Sequence, residues 1–368
     1  MTFDIDKLGV FQVFTGGGTG TGFLIDSRLL LTNCHVVAGY RTVAVEQRDK
    51  RRITGTVRRL HPKRDLAIVE LSTPLPGELL QLAGDAEPQP NQLIHIVGFP
   101  VGLPLSVTEG VVSNPKQMFD GLPYVQTDAA VNPGNSGGPM LDESKHVIAM
   151  TTCKLSSADM VSFGIPADDV REFIEGFRAQ TSAFGVLCPS CDALLESETR
   201  YCDSCGTDLE ELELETYFNP SEAHPIVAFV ENALSKAGID PVLARHGELN
   251  WSFHSGSAPI KIWCCCSEHL CLSSPLAQTG KQKLGELFRF LLSEQHAPMV
   301  FDLDGNLIAL NLTIHMSDVF GSAAHELLGR RIADFIASAD KFDNLLMESY
   351  GCAPAPETQL TFLKEQSR

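Results

Sequence analysis

The string Gly134-Asn135-Ser136-Gly137-Gly138-Pro139, downstream of Thr32-Asn33-Cys34-His35-Val36-Val37 and Arg64-Asp65-Leu66-Ala67, restricts this chain more than any other feature. It places an imidazole, a carboxylate and a hydroxyl in the order His, Asp, Ser. A serine hydroxyl is a weak nucleophile near neutral pH, so it needs a neutral imidazole within hydrogen-bond reach and a carboxylate that fixes the imidazole tautomer. Ser136, His35 and Asp65 are the candidates for those roles. Gly134, Asn135 and Ser136 suit a tight turn whose backbone N–H groups, those of Gly134 and Ser136, face an oxygen that becomes negative during acyl transfer. Asp65 opens the apolar run Leu66-Ala67-Ile68-Val69-Glu70-Leu71, which anchors its carboxylate at the start of a buried strand.

Together with Gly20-Thr21-Gly22-Phe23-Leu24-Ile25, Val97-Gly98-Phe99-Pro100, Val107 to Ser113 and Gln126 to Pro133, these motifs make residues 1–180 resemble a trypsin-like serine protease domain of the HtrA (Deg) type. The resemblance implies a chymotrypsin-like all-β fold of two packed barrels, with the site in the cleft between them. It also implies that Ser162-Phe163-Gly164-Ile165-Pro166 pairs with the substrate backbone as an added strand. Ala130, six residues before Ser136, falls where the trypsin pattern puts the base of the primary pocket. No fixed charge is evident there, so cleavage after a small or medium apolar residue is expected. The expected activity is that of a serine endopeptidase acting on protein or peptide substrates. The alternative is a catalytically silent protease-fold scaffold that grips extended peptides and partner proteins. The glycine-rich run Gly16 to Gly22 lacks the Lys-Ser/Thr ending of a phosphate loop and opens a strand.

The net charge of −18 is uneven: residues 1–180 hold 16 Lys or Arg against 20 Asp or Glu, whereas 181–368 hold 12 against 26. This acidic excess repels phosphate backbones, so no nucleic-acid partner is expected. The basic stretch from Arg48 to Arg64 reads as a solvated strand and loop face. The amino terminus is acidic where a secretory signal is positive, and no apolar run is long enough to span a bilayer. A cytoplasmic chain without membrane contact is therefore expected, with the 11 cysteines present as thiols or metal ligands.

Cys188-Pro189-Ser190-Cys191 and Cys202-Asp203-Ser204-Cys205-Gly206 form two CxxC pairs with ten residues between them. Each pair suits a tight knuckle, and two knuckles converge on one tetrahedral ion, as in a short zinc ribbon over 184–209. Four thiolates leave no position for water, so one structural Zn2+ per chain is expected. A thiol switch is the alternative. Cys264-Cys265-Cys266 with His269 and Cys271 reads as core packing rather than a second metal cluster, because adjacent strand residues alternate faces. Cys34 reads as a small buried residue beside the imidazole.

Glu210 to Glu215 and Asn219-Pro220-Ser221 read as an acidic linker, with a domain boundary near 216. Beyond it come a helical stripe from Pro225 to Gly238, strands about Trp251 and Ile260, a helix from Leu284 to Ser293, a hairpin at Asp304-Gly305-Asn306, and a long helix from Ser322 to Ser349. This order resembles a YbjN or type III secretion chaperone-like α+β domain over 216–352, with a tail over 353–368. That resemblance implies protein recognition or autoinhibition, through a regulatory protein partner, in place of the PDZ domain that many HtrA proteases carry.

Overall fold

The computed structural model describes residues 4–84, 87–152, 162–180, 184–219, 224–265, 268–319, 325–356 and 358. Two compact units divide the chain, Met1–Ser221 and Glu222–Arg368.

In the first unit, β1 (Val10–Thr15), β2 (Gly18–Asp26), β3 (Leu29–Thr32), β4 (Thr42–Glu46), β5 (Arg52–His61) and β6 (Leu66–Leu71) close a barrel, because β5 pairs with both β4 and β6. A single-turn helix, α1 (Cys34–Val37), lies between β3 and β4. A second closed barrel contains β7 (Leu93–Gly98), β8 (Ser106–Phe119), β9 (Leu122–Thr127), β10 (Pro139–Leu141), β11 (Val147–Thr152) and β12 (Ser162–Pro166). Closure gives each strand of the two barrels a neighbour on both sides, which removes the unpaired backbone groups that an edge strand presents. This is the double-barrel architecture of a chymotrypsin-like protease.

Helix α2 (Ala167–Ala179) follows without a break, and its buried Val170, Phe173, Ile174 and Phe177 recur at helical spacing. These side chains join a core that draws Phe23, Leu31, Leu66 and Ile68 from the first barrel and Val97, Leu141 and Ile165 from the second. The two barrels are thereby cemented along one side.

The cysteine-rich segment does not stand apart as the sequence implies. Its strand β13 (Gly185–Leu187) runs parallel to β5 and pairs with β14 (Leu194–Leu195), so the first sheet continues into it. Val186, Cys188, Leu195 and Cys202 belong to the same core as Val13, Cys34, Val37 and Val69. The stretch expected to be an acidic linker is helical at Glu210–Leu212 and in α3 (Leu214–Phe218), with Leu209 and Leu214 buried in that core. The acidic residues face out while the leucines between them pay for ordering by burial. The first unit consequently runs on to 221 rather than ending near 216.

The basic stretch is a solvated face only in part: Arg48, Lys50, Arg51 and Lys63 are exposed, whereas Arg52, Arg58, Arg59 and Arg64 are not. Arg52 stacks 3.8 Å from the Phe14 ring centroid and pairs with Glu46 at 3.1 Å. Buried Arg59 donates to the Gln180 carbonyl at 2.7 Å, and Arg64 pairs with Asp169 at 2.5 Å. Arg59 and Arg64 tie the first barrel to α2 and its C-terminal end by fork-shaped donors that a lysine lacks.

The second unit is α+β. Its sheet runs β15 (Arg245–Gly247), β16 (Asn250–Ser255), β17 (Ala258–Cys265), β18 (His269–Gln278), β20 (Leu307–His315) and β19 (Val300–Asp304), with β21 (Ala353–Pro354) pairing β18. Helices α4 (Pro225–Lys236), α5 (Pro241–Ala244), α6 (Leu284–Leu291), α7 (Met316–Val319) and α8 (His325–Tyr350) complete it. Apolar faces of α4 and α8 share one core with Trp251, Ile260, Ile262, Leu272 and Leu310. Of the cysteine run, Cys264 packs against that core, whereas half-buried Cys265 is registered against His269 on the alternate face, and Cys266 lies outside the described residues. No helix among the described residues is long and apolar enough to cross a membrane.

Candidate active site

Asp65 sits at the β5–β6 turn with φ +58°, a left-handed conformation that short polar residues tolerate. Its backbone carbonyl accepts from Asn33 Nδ2 at 2.9 Å and from the Cys34 amide at 3.1 Å, which pins the start of α1 to the turn. The buried carboxylate then accepts from the His35 amide at 3.0 Å, faces His35 Nδ1 at 2.8 Å, and accepts from Thr152 Oγ1 at 2.9 Å. An ionised carboxylate can only accept, so Nδ1 carries the proton and Nε2 is left as the basic nitrogen. The His35 side chain is 39% exposed, open to a reactant on its Nε2 side.

Ser136 is buried in a turn that glycine makes possible. Gly134 has φ +98° and Gly137 φ +85°. A Cβ on Gly134 would lie 2.3 Å from the Phe99 carbonyl oxygen, and one on Gly137 would lie 2.1 Å from that of Thr21. Both are overlaps that no side chain survives. The turn is held by its carbonyls: Val101 N donates to Pro133 O at 2.6 Å and Gly138 N donates to Asn135 O at 2.9 Å. In a trans peptide the N–H opposes the C=O, so anchoring these two carbonyls turns the amides of Gly134 and Ser136 the other way. Among the described residues, neither amide donates to a protein acceptor. Two unsatisfied amides on one side of a nucleophile turn are what a developing oxyanion needs.

The end of β11 brings the parts together. Thr151 exchanges bonds with Gly137 and Gly138 at 2.9 and 2.8 Å, while its neighbour Thr152 holds Asp65. Thr21 completes the clamp, donating from Oγ1 to Gly134 O at 2.6 Å and receiving the Phe99 amide at 3.2 Å. Sequence reading missed Thr21 and Thr152. The signal for Thr21 was its place between two glycines of an otherwise apolar strand, and Thr152 had none in its local pattern. Ser136 Oγ and His35 are not hydrogen bonded to each other among the described residues.

Of the expected substrate residues, Ala130 is exposed on the coil between β9 and the serine turn. Phe163 and Gly164 are registered on both sides, against Thr152 and Thr151 of β11 and against Gln126 and Val125 of β9. They have no free backbone edge for an added strand, contrary to expectation. Ser162 is registered against Thr127 of β9, and the residues that follow Thr152 of β11 lie outside the described residues.

The four cysteines converge, their sulfurs all within 4.8 Å of one another. Cys188 Sγ lies 3.8 Å from Cys205 Sγ, and Cys191 Sγ 3.8 Å from Cys202 Sγ. A tetrahedron with metal–sulfur bonds of about 2.3 Å has edges of roughly 3.8 Å, whereas a disulfide requires about 2.05 Å. The donor set therefore fits a metal ion. Each knuckle closes on a carbonyl, Cys188 O from Asp192 N at 3.1 Å and Cys202 O from Gly206 N at 2.7 Å. Burial pushes the Cys188 thiol up to about 12, while hydrogen bonds from Thr207 draw exposed Cys205 down to about 6.

Residues 20–150 match the model of the trypsin-like peptidase domain. The chain is 30% identical over 179 residues to serine protease HTRA1B of Danio rerio, covering 46% of this chain and 37% of the relative. It is 34% identical over 175 residues to mitochondrial serine protease HTRA2 of Bos taurus (45% and 38%), and 39% identical over 165 residues to HhoA of Synechocystis (42% and 41%). Among solved structures it is similar to an HtrA-type protease AlgW with tripeptide, at 27% identity and TM-score 0.42, over 46% of this chain and 60% of that one. The chain thus spans about 37 to 41% of the length of these curated relatives. It carries a trypsin-like peptidase domain over residues 20–150, and the relatives it matches through that domain include HtrA serine proteases.

Proposed function

We propose that this chain is a serine endopeptidase working through an acyl-enzyme on Ser136. His35 Nε2 takes the Ser136 proton as Oγ attacks a peptide carbonyl, then returns it to the leaving amine. Asp65 holds the imidazole and stabilises its charged form. The Gly134 and Ser136 amides receive the oxyanion. The observation that carries this reading is the doubly held Asp65–His35 pair beside a turn whose carbonyls are anchored and whose amides are unclaimed. Ala130, at the base of the primary pocket by the trypsin pattern, brings no fixed charge there, which favours a small or medium apolar residue before the cut bond. One structural Zn2+ on Cys188, Cys191, Cys202 and Cys205 closes the knuckles, and the cytoplasm is the compartment that suits unpaired thiols. The YbjN or chaperone-like second unit carries partner recognition or autoinhibition.

Hydrolysis of an unfolded protein by the full chain, abolished in Ser136→Ala and followed by sequencing of the products, tests this. Cuts after Lys or Arg would reject the pocket assignment, and equal cutting by the variant would reject the serine mechanism. The lack of a Ser136–His35 hydrogen bond favours a second reading, a protease-fold scaffold that binds peptides without turnover. Such bonds are often loose before substrate arrives, so the enzyme reading stands ahead of it.

A further inference from the structure

The cysteine-rich segment ends against the helix that carries His35. Tyr217 and Phe218 of α3 pack against the core that holds Cys34 and Val37 of α1. Arg41, just beyond α1, packs its guanidinium 3.2 Å from the Phe184 ring centroid and donates to the Phe218 carbonyl at 3.2 Å. Phe184 and Phe218 meet edge to face at 5.5 Å, so both ends of segment 184–219 close on one arginine. A further contact reaches the other member of the pair. Asp192, which follows Cys191, places Oδ1 3.2 Å from Nε2 of buried His61, and His61 Nδ1 faces the Arg64 amide at 3.5 Å, next to Asp65.

Between these contacts the segment has little structure of its own: strands of three and two residues, one 3-10 turn and a five-residue helix. So few residues do not hold a fixed shape without a cross-link. The four sulfurs supply the place for one, and Cys188 and Cys202 sit in the same core as Cys34.

We propose that the four-cysteine metal site is a brace on the catalytic pair, with Arg41 a positioning residue through which segment 184–219 holds α1, and so His35. The inference rests on the endopeptidase reading above. Metal loss then lowers turnover more than substrate binding, because the substrate surface belongs to the second barrel.

The full chain carrying zinc is compared with the same chain stripped by chelator, with zinc counted in each. Cys34 alkylation, mapped by mass spectrometry, reports the shared core that covers α1 without requiring activity. Fluorophosphonate labelling of Ser136 reports the triad. Stripping is expected to raise Cys34 alkylation and lower Ser136 labelling, each about tenfold, with both reversed on restoring zinc. Arg41→Met, which keeps the metal and removes the hydrogen bond to the Phe218 carbonyl, is expected to lower kcat about fivefold at unchanged KM, the effect of one hydrogen bond. Equal alkylation and labelling with and without zinc would overturn the brace, as would an Arg41→Met variant with unchanged kcat. Protection of Cys34 by zinc in a chain that never labels at Ser136 would support the contact and reject the endopeptidase reading.

Discussion

Asp65 spends its backbone on α1 and its side chain on His35, so one residue fixes both the place and the tautomer of the imidazole. Asp65→Asn keeps the shape but presents an amide N–H or a weaker acceptor to Nδ1. Peptide hydrolysis is expected to fall by about 10^4-fold with thermal stability nearly unchanged, as for the equivalent change in other Ser-His-Asp triads. Gly137→Ala fails differently. Its φ of +85° and the Thr21 oxygen at 2.1 Å from the added Cβ place strain in the turn itself, so a loss of at least about 2 kcal/mol is expected in denaturant unfolding. A melt equal to the parent's would contradict the turn geometry. The triad residues were legible in sequence because their chemistry demands neighbours that are also sequence neighbours: glycines beside Ser136, an apolar strand after Asp65. Thr21 showed only its place between two glycines and Thr152 showed nothing, since their partners Gly134 and Asp65 lie 113 and 87 residues away.

Among elements, α2 shows an amphipathic stripe that sequence reading passed over. Phe173 packs with Leu66, Ile68 and Leu187, and Phe173→Ala is expected to cost about 3–5 kcal/mol of unfolding free energy, with loss of activity following loss of fold. Strand β13 was illegible for a different reason. Three residues pairing in parallel with β5 across more than a hundred positions leave no periodicity to read, and the two CxxC pairs suggest a free-standing module. In the second unit, α8 buries Asp343, whose carboxyl is pushed up by burial while Ser257 Oγ donates to it at 2.6 Å. An acid whose folded value lies above its unfolded value binds protons more readily when folded, so its contribution to stability falls as pH rises from the unfolded to the folded value. Asp343→Asn is expected to remove that slope in the second unit's unfolding above about pH 4. An unchanged slope would assign it to other groups.

At the scale of the whole molecule, the compact division falls after Ser221, although the sequence motifs suggest a protease ending near 180. A 1–221 fragment is expected to fold and to match the full chain's melting transition for this unit. A 1–180 fragment leaves β5 without β13 and exposes the core that Val186, Leu209 and Leu214 cover, so it is expected to aggregate. Soluble, cooperatively melting 1–180 would show that the cysteine-rich segment is dispensable. The double barrel was legible because its motifs fix strand order. The merging of the metal knuckles with the first barrel was not, because it depends on surfaces that exist only after both have formed.

The central claim is that Ser136 is an activated nucleophile. Full-length chain is treated with a fluorophosphonate beside Ser136→Ala and His35→Ala, and the adduct is located by mass spectrometry. One adduct, on Ser136, absent from the first variant and slowed at least about a hundredfold in the second, is the result the account predicts. An unlabelled full chain, or labelling at Ser136 that His35→Ala leaves as fast, would contradict it.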